Sequence, residues 1–169
     1  MRDEAVMKLA IDHEFAGIDA AGFEALYFDE PFNAALGQAL NMGRQLLRLD
    51  RSNKRIVRHV CYEPARDPDS PANQAFGTSR ASFVEELDYD VGARRGTWRT
   101  IPNLFTDRVR NTGTIEFVNV ASGVRRSVRG EVNVRLFGFG KIVEKMIIAE
   151  IEKSYANTAR FTTEWLAKR

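Results

Sequence analysis

Cysteine is nearly absent: Cys61 stands alone in 169 residues. An internal disulfide is therefore excluded, and no ligand spacing of a metal site is present. Histidine is scarce too. His13 and His59 with one thiol make no recognisable metal set, so neither metal nor cofactor is expected. No apolar run approaches the length of a membrane span. The beginning, Met1-Arg2-Asp3-Glu4, lacks the basic-then-apolar layout of a signal peptide, so a cytoplasmic location is expected. The Gly138-Phe139-Gly140 segment lacks the Lys-Ser/Thr that completes a phosphate-binding loop, and reads instead as a turn. No internal repeat, low-complexity tract or dividing linker interrupts the chain, and one domain over residues 1–169 is expected.

Hydrophobic residues at 44% and charged residues at 28% are enough for a real core. The net charge of +2 is unevenly spread. Residues 1–40 are acidic, whereas the middle is rich in arginine: Arg44, Arg48, Arg51, Arg55 and Arg58, then Arg94, Arg95, Arg99, Arg108 and Arg110, then Arg125, Arg126, Arg129 and Arg135. These are either solvent-facing strand positions or a basic face that meets an anionic membrane surface. No nucleic-acid motif accompanies the arginines, so nucleic acid is not an expected partner.

The pattern along the chain alternates first. Met7, Leu9, Ile11 and Phe15 share one side of a half-buried strand. Asp19 is placed to cap a helix over an aromatic stretch, and Pro31 is expected to split it, the second helix running from about Phe32 to Leu40. Strands follow at Leu46–Leu49 and Ile56–Tyr62 around a turn at Asp50–Asn53. Glu63–Ser82, with three prolines, reads as a long loop, either a lid or disordered. Further strands are expected at Phe83–Tyr89, Thr97–Ile101, Thr112–Val120 and Val124–Leu136. From about Lys141 to Lys168 the chain reads as one amphipathic helix, with Val143, Ile147, Ile151, Ser154, Tyr155, Thr158, Thr162 and Trp165 at helical spacing. Its length of about 27 residues spans roughly 40 Å. Hairpin-sized connections favour an antiparallel sheet. The class is α+β: two short helices after the first strand, about 6–7 strands, then one long helix gripped by the sheet with a cavity between them.

Four segments carry a family likeness: Ile11-Asp12-His13-Glu14-Phe15, Phe28-Asp29-Glu30-Pro31-Phe32, Phe83-Val84-Glu85-Glu86-Leu87-Asp88-Tyr89, and the passage from Val128 through Phe137-Gly138-Phe139-Gly140 to Lys145. With the element order, they resemble the START-like (SRPBCC) helix-grip superfamily, which includes Bet v 1-type proteins and polyketide cyclases. The likeness is greatest to its uncharacterised bacterial branch and more distant to VASt sterol-transfer domains. It implies a curved antiparallel sheet around the C-terminal helix and an apolar cavity for a lipid or other hydrophobic small molecule. Fold likeness alone does not fix function.

Ile147, Ile151, Ser154, Tyr155 and Thr158 on the helix, with Phe83, Leu87, Tyr89 and Trp98 on strands, are the expected cavity lining. They either border a pocket or fill a solid core. His13 shares parity with Leu9, Ile11 and Phe15. It is either a satisfied structural histidine, the favoured reading, or an acid–base group. Glu85, among Phe83, Leu87 and Tyr89, pairs with Arg58 or Arg99 across the sheet, or else acts as an acid or base of raised pKa. The Ile56–Tyr62 strand is amphipathic in both registers, and Arg58 is expected to face solvent. Cys61 reads as a small buried hydrophobe. Three functions are consistent with these residues: a carrier or sensor of a hydrophobic molecule, favoured over the others; a cyclase or hydrolyase using His13 or Glu85; and an interaction domain with a filled core.

Overall fold

A computed structural model describes residues 6–64 and 81–169. Strand β1 (Met7–Ala16) leads into helices α1 (Ala20–Tyr27) and α2 (Glu30–Ala39). Strands β2 (Gly43–Arg51), β3 (Arg55–Glu63), β4 (Phe83–Asp90), β5 (Arg95–Pro102), β6 (Val109–Val120) and β7 (Gly123–Val134) follow, and helix α3 (Gly140–Ala167) ends the chain. Among the described residues the seven strands form one antiparallel sheet in the order β1-β7-β6-β5-β4-β3-β2. The expected class is therefore the observed one. The expected lid falls mainly on residues 65–80, outside the described residues.

Alternation decides which face is buried. On β1, Leu9, Ile11 and Phe15 are buried while Lys8, Asp12 and Glu14 are exposed. Register carries that face across the sheet. Ile11 lies opposite Val128, Val128 opposite Ile115, and Leu87 opposite Trp98. Trp98 lies flat over Gly113 and Gly130, where an added Cβ would come within 2.5 and 2.7 Å of its ring. Only glycine leaves room for the indole there.

Each helix starts for a local reason. The Asp19 carboxylate accepts the Gly22 N–H at 2.7 Å, and the Asn119 side chain accepts the Ala20 N–H at 2.7 Å. Two of the open N–H groups at the start of α1 are thus satisfied, one of them from the β6–β7 hairpin. Asp29 caps α2 at the Phe32 N–H, 2.9 Å. Pro31 lies inside the first turn of α2, where a missing N–H costs nothing, so the chain breaks at Phe28–Asp29 rather than at the proline. Before α3, Gly138 takes φ +78°, a left-handed conformation that favours glycine. The buried Glu144 then accepts the Val134 N–H at 3.0 Å and pairs with Lys141 at 3.2 Å. This ties the start of α3 to the end of β7.

Aromatic rings lock α1 onto the sheet. Phe23 stacks on Phe15 at 4.8 Å and meets Phe117 edge-on at 5.0 Å, and Phe28 meets Tyr89 at 5.0 Å. Such pairs add about 0.5–1.5 kcal/mol beyond their burial. At the far end of α3, Phe32 of α2 lies 5.9 Å from Phe161 and 5.5 Å from Trp165. Helix α3 is thus fastened at its beginning by Glu144 and near its end by α2.

Candidate functional site

The sheet face that receives the helices is not apolar throughout. A belt of polar side chains crosses it: Tyr62 and Arg58 of β3, Glu85 of β4, Arg126 of β7 and His13 of β1. Tyr27 of α1 and Tyr155 of α3 approach it from above. The alternation that buries Ile56 and Val60 also buries Arg58, which is 2% exposed. The expectation of a solvent-facing Arg58 is overturned. The strand does have two amphipathic registers, but the helices pack on the one holding Ile56 and Val60. His59 and Cys61 are placed on the opposite face, half-buried; His59 does not flank the recess, and Cys61 is not a core residue.

Among the described residues Arg58 has one weak ionic partner. Its Nη2 lies 3.4 Å from a Glu85 oxygen, and its Nη1 donates to the Tyr27 carbonyl at 3.2 Å. The guanidinium sits over the rings of Tyr27 and Phe28, 4.7 and 5.2 Å from their centroids. Burial works against its charge, but the nearby acids Tyr27, Tyr62 and Glu85 outweigh that and hold its pKa above the ordinary arginine value. Of the two partners considered for Glu85, Arg58 is the one present. Arg99 pairs with Glu86 on the other face.

Arg126 is a different case. It is 4% exposed and no carboxylate pairs with it among the described residues. Its Nη2 approaches His13 Nδ1 at 3.2 Å and donates to the Tyr155 carbonyl at 3.3 Å. The rings of Tyr155 and Phe15 lie 4.9 and 5.5 Å from it, and its Nε has no partner. Burial lowers its pKa. A buried cation without a counter-charge is unfavourable, and an anion placed beside it would relieve that cost.

His13 is oriented by this neighbour. A guanidinium can only donate, so Nδ1 accepts and the proton of neutral imidazole resides on Nε2. Burial first and the Arg126 charge second lower the His13 pKa, against a smaller opposing effect of Asp12. Its partner is thus neither the backbone group nor the carboxylate expected of a structural histidine. Neutral His13 is left with its Nε2–H to donate to a ligand.

Helix α3 covers the belt unevenly. Its buried residues are Val143 and Glu144 near one end, Ala159 and Thr162 toward the other. Between them Met146, Ile147, Ile148, Ile151 and Tyr155 are only half-buried, although Ile148, Ile151 and Tyr155 touch the main core. Tyr62, Phe83 and Glu85 on the sheet are half-buried as well. Burial nonetheless raises the pKa of the Tyr27, Tyr62 and Tyr155 hydroxyls. Solvent touches these side chains, yet their charged forms are strongly penalised.

The expected lining residues separate into three groups. Ile147, Ile151, Tyr155, Phe83 and Glu85 are half-buried, and the rings of Phe83 and Tyr62 are tilted against each other with centroids 5.4 Å apart. Leu87, Tyr89 and Trp98 are buried in the packed core, with Tyr89 donating to Glu24 at 2.7 Å and Trp98 to the Thr114 carbonyl at 3.2 Å. Ser154 is exposed, a correction to its expected inward place, and the Thr158 hydroxyl donates to the Tyr155 carbonyl within the helix at 2.9 Å. Tyr27, Tyr62 and Arg126 were missed as site residues. Arg126 was legible by its parity with Val124, Val128 and Val132, had the Arg125-Arg126 doublet not obscured it.

Two other depressions lie elsewhere. One of about 640 Å³ borders Gly17–Asp19 and Asn119–Gly123, and one of about 390 Å³ borders β1, β6 and β7 around Ala10 and Thr112. Neither includes a residue of α3.

Solved structures share this architecture. Protein Ms6760 from Mycobacterium smegmatis is 14% identical, with TM-score 0.63 over 98% of this chain and 94% of its own. A START superfamily protein from the same organism is 14% identical, with TM-score 0.56 over 95% of this chain and 98% of its own. The di-domain ARO/CYC StfQ of the steffimycin biosynthetic pathway is 14% identical, with TM-score 0.59 over 99% of this chain and 54% of its own. At these identities the likeness is one of fold, and the fold is START-like. No curated protein matches the sequence. A family model covers residues 53–166, from β3 through nearly all of α3, and by that match the chain belongs to the DUF2505 family, described as proteins of unknown function.

Proposed function

We propose that the chain binds a hydrophobic small molecule or lipid in the recess between the sheet and α3. One observation carries this reading: α3 is buried near both ends and only half-buried in the middle, at Ile147, Ile148 and Ile151 beside the valines of β7 and at Tyr155 over the polar belt. A helix serving only to close a core would bury that stripe. Burial of apolar ligand surface there contributes about 25 cal/mol per Å². Arg126, His13, Glu85 and Tyr155 set the orientation of a polar head, and the uncompensated Arg126 favours an acidic one. A START-like neighbour supports ligand binding as the use of such a fold, by analogy.

The cyclase reading has a specific observation behind it as well, an ARO/CYC neighbour. His13 is the acid–base candidate of that reading: its neutral form is favoured, and it would act as a base once its Nδ1 lone pair is released from Arg126. Two substitutions separate the readings. Titration with a solvatochromic apolar dye should give saturable binding that Ile147→Glu and Ile151→Glu abolish, while His13→Ala leaves dye binding intact. An enzyme would instead lose turnover, not binding, in His13→Ala. No saturable dye binding by the folded wild-type chain rejects the ligand reading.

A further inference from the structure

At one end of the sheet, the loop between β5 and β6 and the turn from β7 into α3 lie side by side, joined by the Arg135 N–H donating to the Arg108 carbonyl at 2.8 Å. This turn presents large apolar side chains to solvent. Phe137 is 100% exposed, Phe139 66% and Ile142 59%. A fully exposed phenylalanine contributes nothing to the packing of its own chain, and with the largely exposed Phe139 and Ile142 it makes an apolar patch within six residues.

The surroundings of the patch are cationic. Arg108, Arg110, Arg135 and Lys145 are exposed, and none pairs with a carboxylate among the described residues. Lys141 also lies here, held by Glu144, and Asp107 is the acid of the same loop. Elsewhere on the arginine-rich surface Arg48, Arg55, Arg99 and Arg129 are neutralised by Asp50, Asp88, Glu86 and Asp12, although Arg51 and Arg95 at the opposite end of the sheet have no carboxylate partner among the described residues. Only at this end do such cations stand beside exposed Phe137, Phe139 and Ile142 among the described residues.

We infer that this end of the molecule docks on an anionic lipid bilayer, with Phe137, Phe139 and Ile142 entering the head-group boundary and Arg108, Arg110, Arg135 and Lys145 meeting lipid phosphates. Shallow insertion of apolar side chains combined with basic residues is the arrangement that gives reversible attachment to anionic membranes. An exposed patch of this kind suits a deformable lipid surface, which rearranges around it, better than a preformed protein groove. Docking here faces the beginning of α3 and the ends of β5 and β7 toward the membrane, and α3 leads from there directly over the recess. Attachment itself does not depend on the ligand reading, and a different assay reports it.

Flotation with vesicles tests the inference. The wild-type chain should float with vesicles of phosphatidylcholine and phosphatidylglycerol, remain below with phosphatidylcholine alone, and release at high salt. Phe137→Asp with Phe139→Asp, and separately Arg108→Glu with Arg135→Glu, should each reduce the floated fraction about tenfold or more. Exposure of all four residues predicts unchanged thermal midpoints and unchanged dye binding in solution. Wild-type protein that ignores anionic vesicles overturns the inference, as does a phenylalanine variant that floats like wild type. A dimer abolished by the phenylalanine substitutions, with no vesicle binding, also overturns it and assigns the patch to a second copy of the chain.

Discussion

The two short helices and the long one cover the same sheet face with opposite outcomes. Under α1 the face is aromatic and closed: Phe15, Phe23, Phe28, Tyr89 and Phe117 are buried and in ring contact. Beside α3 it carries a polar stretch, with two guanidinium groups, one carboxylate and the Tyr62 phenol, approached by Tyr27 and Tyr155 from the helices, while Val132 and Val134 receive the isoleucines of α3. The first region is packed core, and the second gathers ionisable side chains. A chain of this length keeps an unfavourable buried Arg126 because another part of the same face holds the fold together.

The comparison can be broken most forcefully by Phe23→Ala. Loss of a buried ring between Phe15 and Phe117 should cost about 3–5 kcal/mol, read as a large fall in the denaturation midpoint. A fall confined to fractions of a kcal/mol would mean that the aromatic region does not anchor the fold. Next in size is Arg58→Met, which leaves Glu85 half-buried without its cation. The pair is long at 3.4 Å and Glu85 partly solvated, so about 1–3 kcal/mol is expected, at or below the low end for a broken buried pair.

Arg126→Met should behave in the opposite sense. It removes a buried cation that has no carboxylate partner, so stability should hold or rise by about 1 kcal/mol, while affinity for an acidic apolar probe falls. Destabilisation comparable to that of Arg58→Met would show that Arg126 is a structural residue rather than a binding one.

The pH dependence gives a smaller effect. Because the folded chain lowers the His13 pKa below its ordinary 6.5, the unfolded chain takes up the proton first as pH falls. Stability is then fully present above about pH 6.5 and declines below it until the folded imidazole also protonates. His13→Gln should flatten that part of the midpoint-versus-pH curve; an unchanged slope would contradict the assignment. The smallest effect is expected at the outer face. Asp12→Asn removes an exposed pair with Arg129, 2.9 Å long, and should change stability by about 0.5 kcal/mol or less.

The succession of strands along the chain and the final helix were legible because period-2 and period-3.6 patterns are dictated by what the core excludes. Alternation on β1 and the glycine turn at Gly138 are direct examples. The belt was less legible, for reasons that lie in its residues. Arginine has an apolar stem and a flat cation that stacks on rings, so Arg58 over Tyr27 and Phe28 occupies a core position without looking like a core residue. On α3, one residue turns the side chain by about 100°, so the inward line runs through Glu144, Ile148, Ile151, Tyr155, Ala159 and Thr162. Ser154, adjacent to Tyr155, falls off it. The patch at Phe137 and Phe139 was read only as a turn, since a hydrophobic residue in a sequence carries no mark of being exposed.

Native mass spectrometry of the purified wild-type chain beside Ile151→Glu tests the central claim most directly. A recess under α3 that holds a ligand predicts one retained small apolar molecule on the wild type and the bare polypeptide mass for the variant. The bare mass for both, with no uptake of added fatty acid by the wild type, would contradict it.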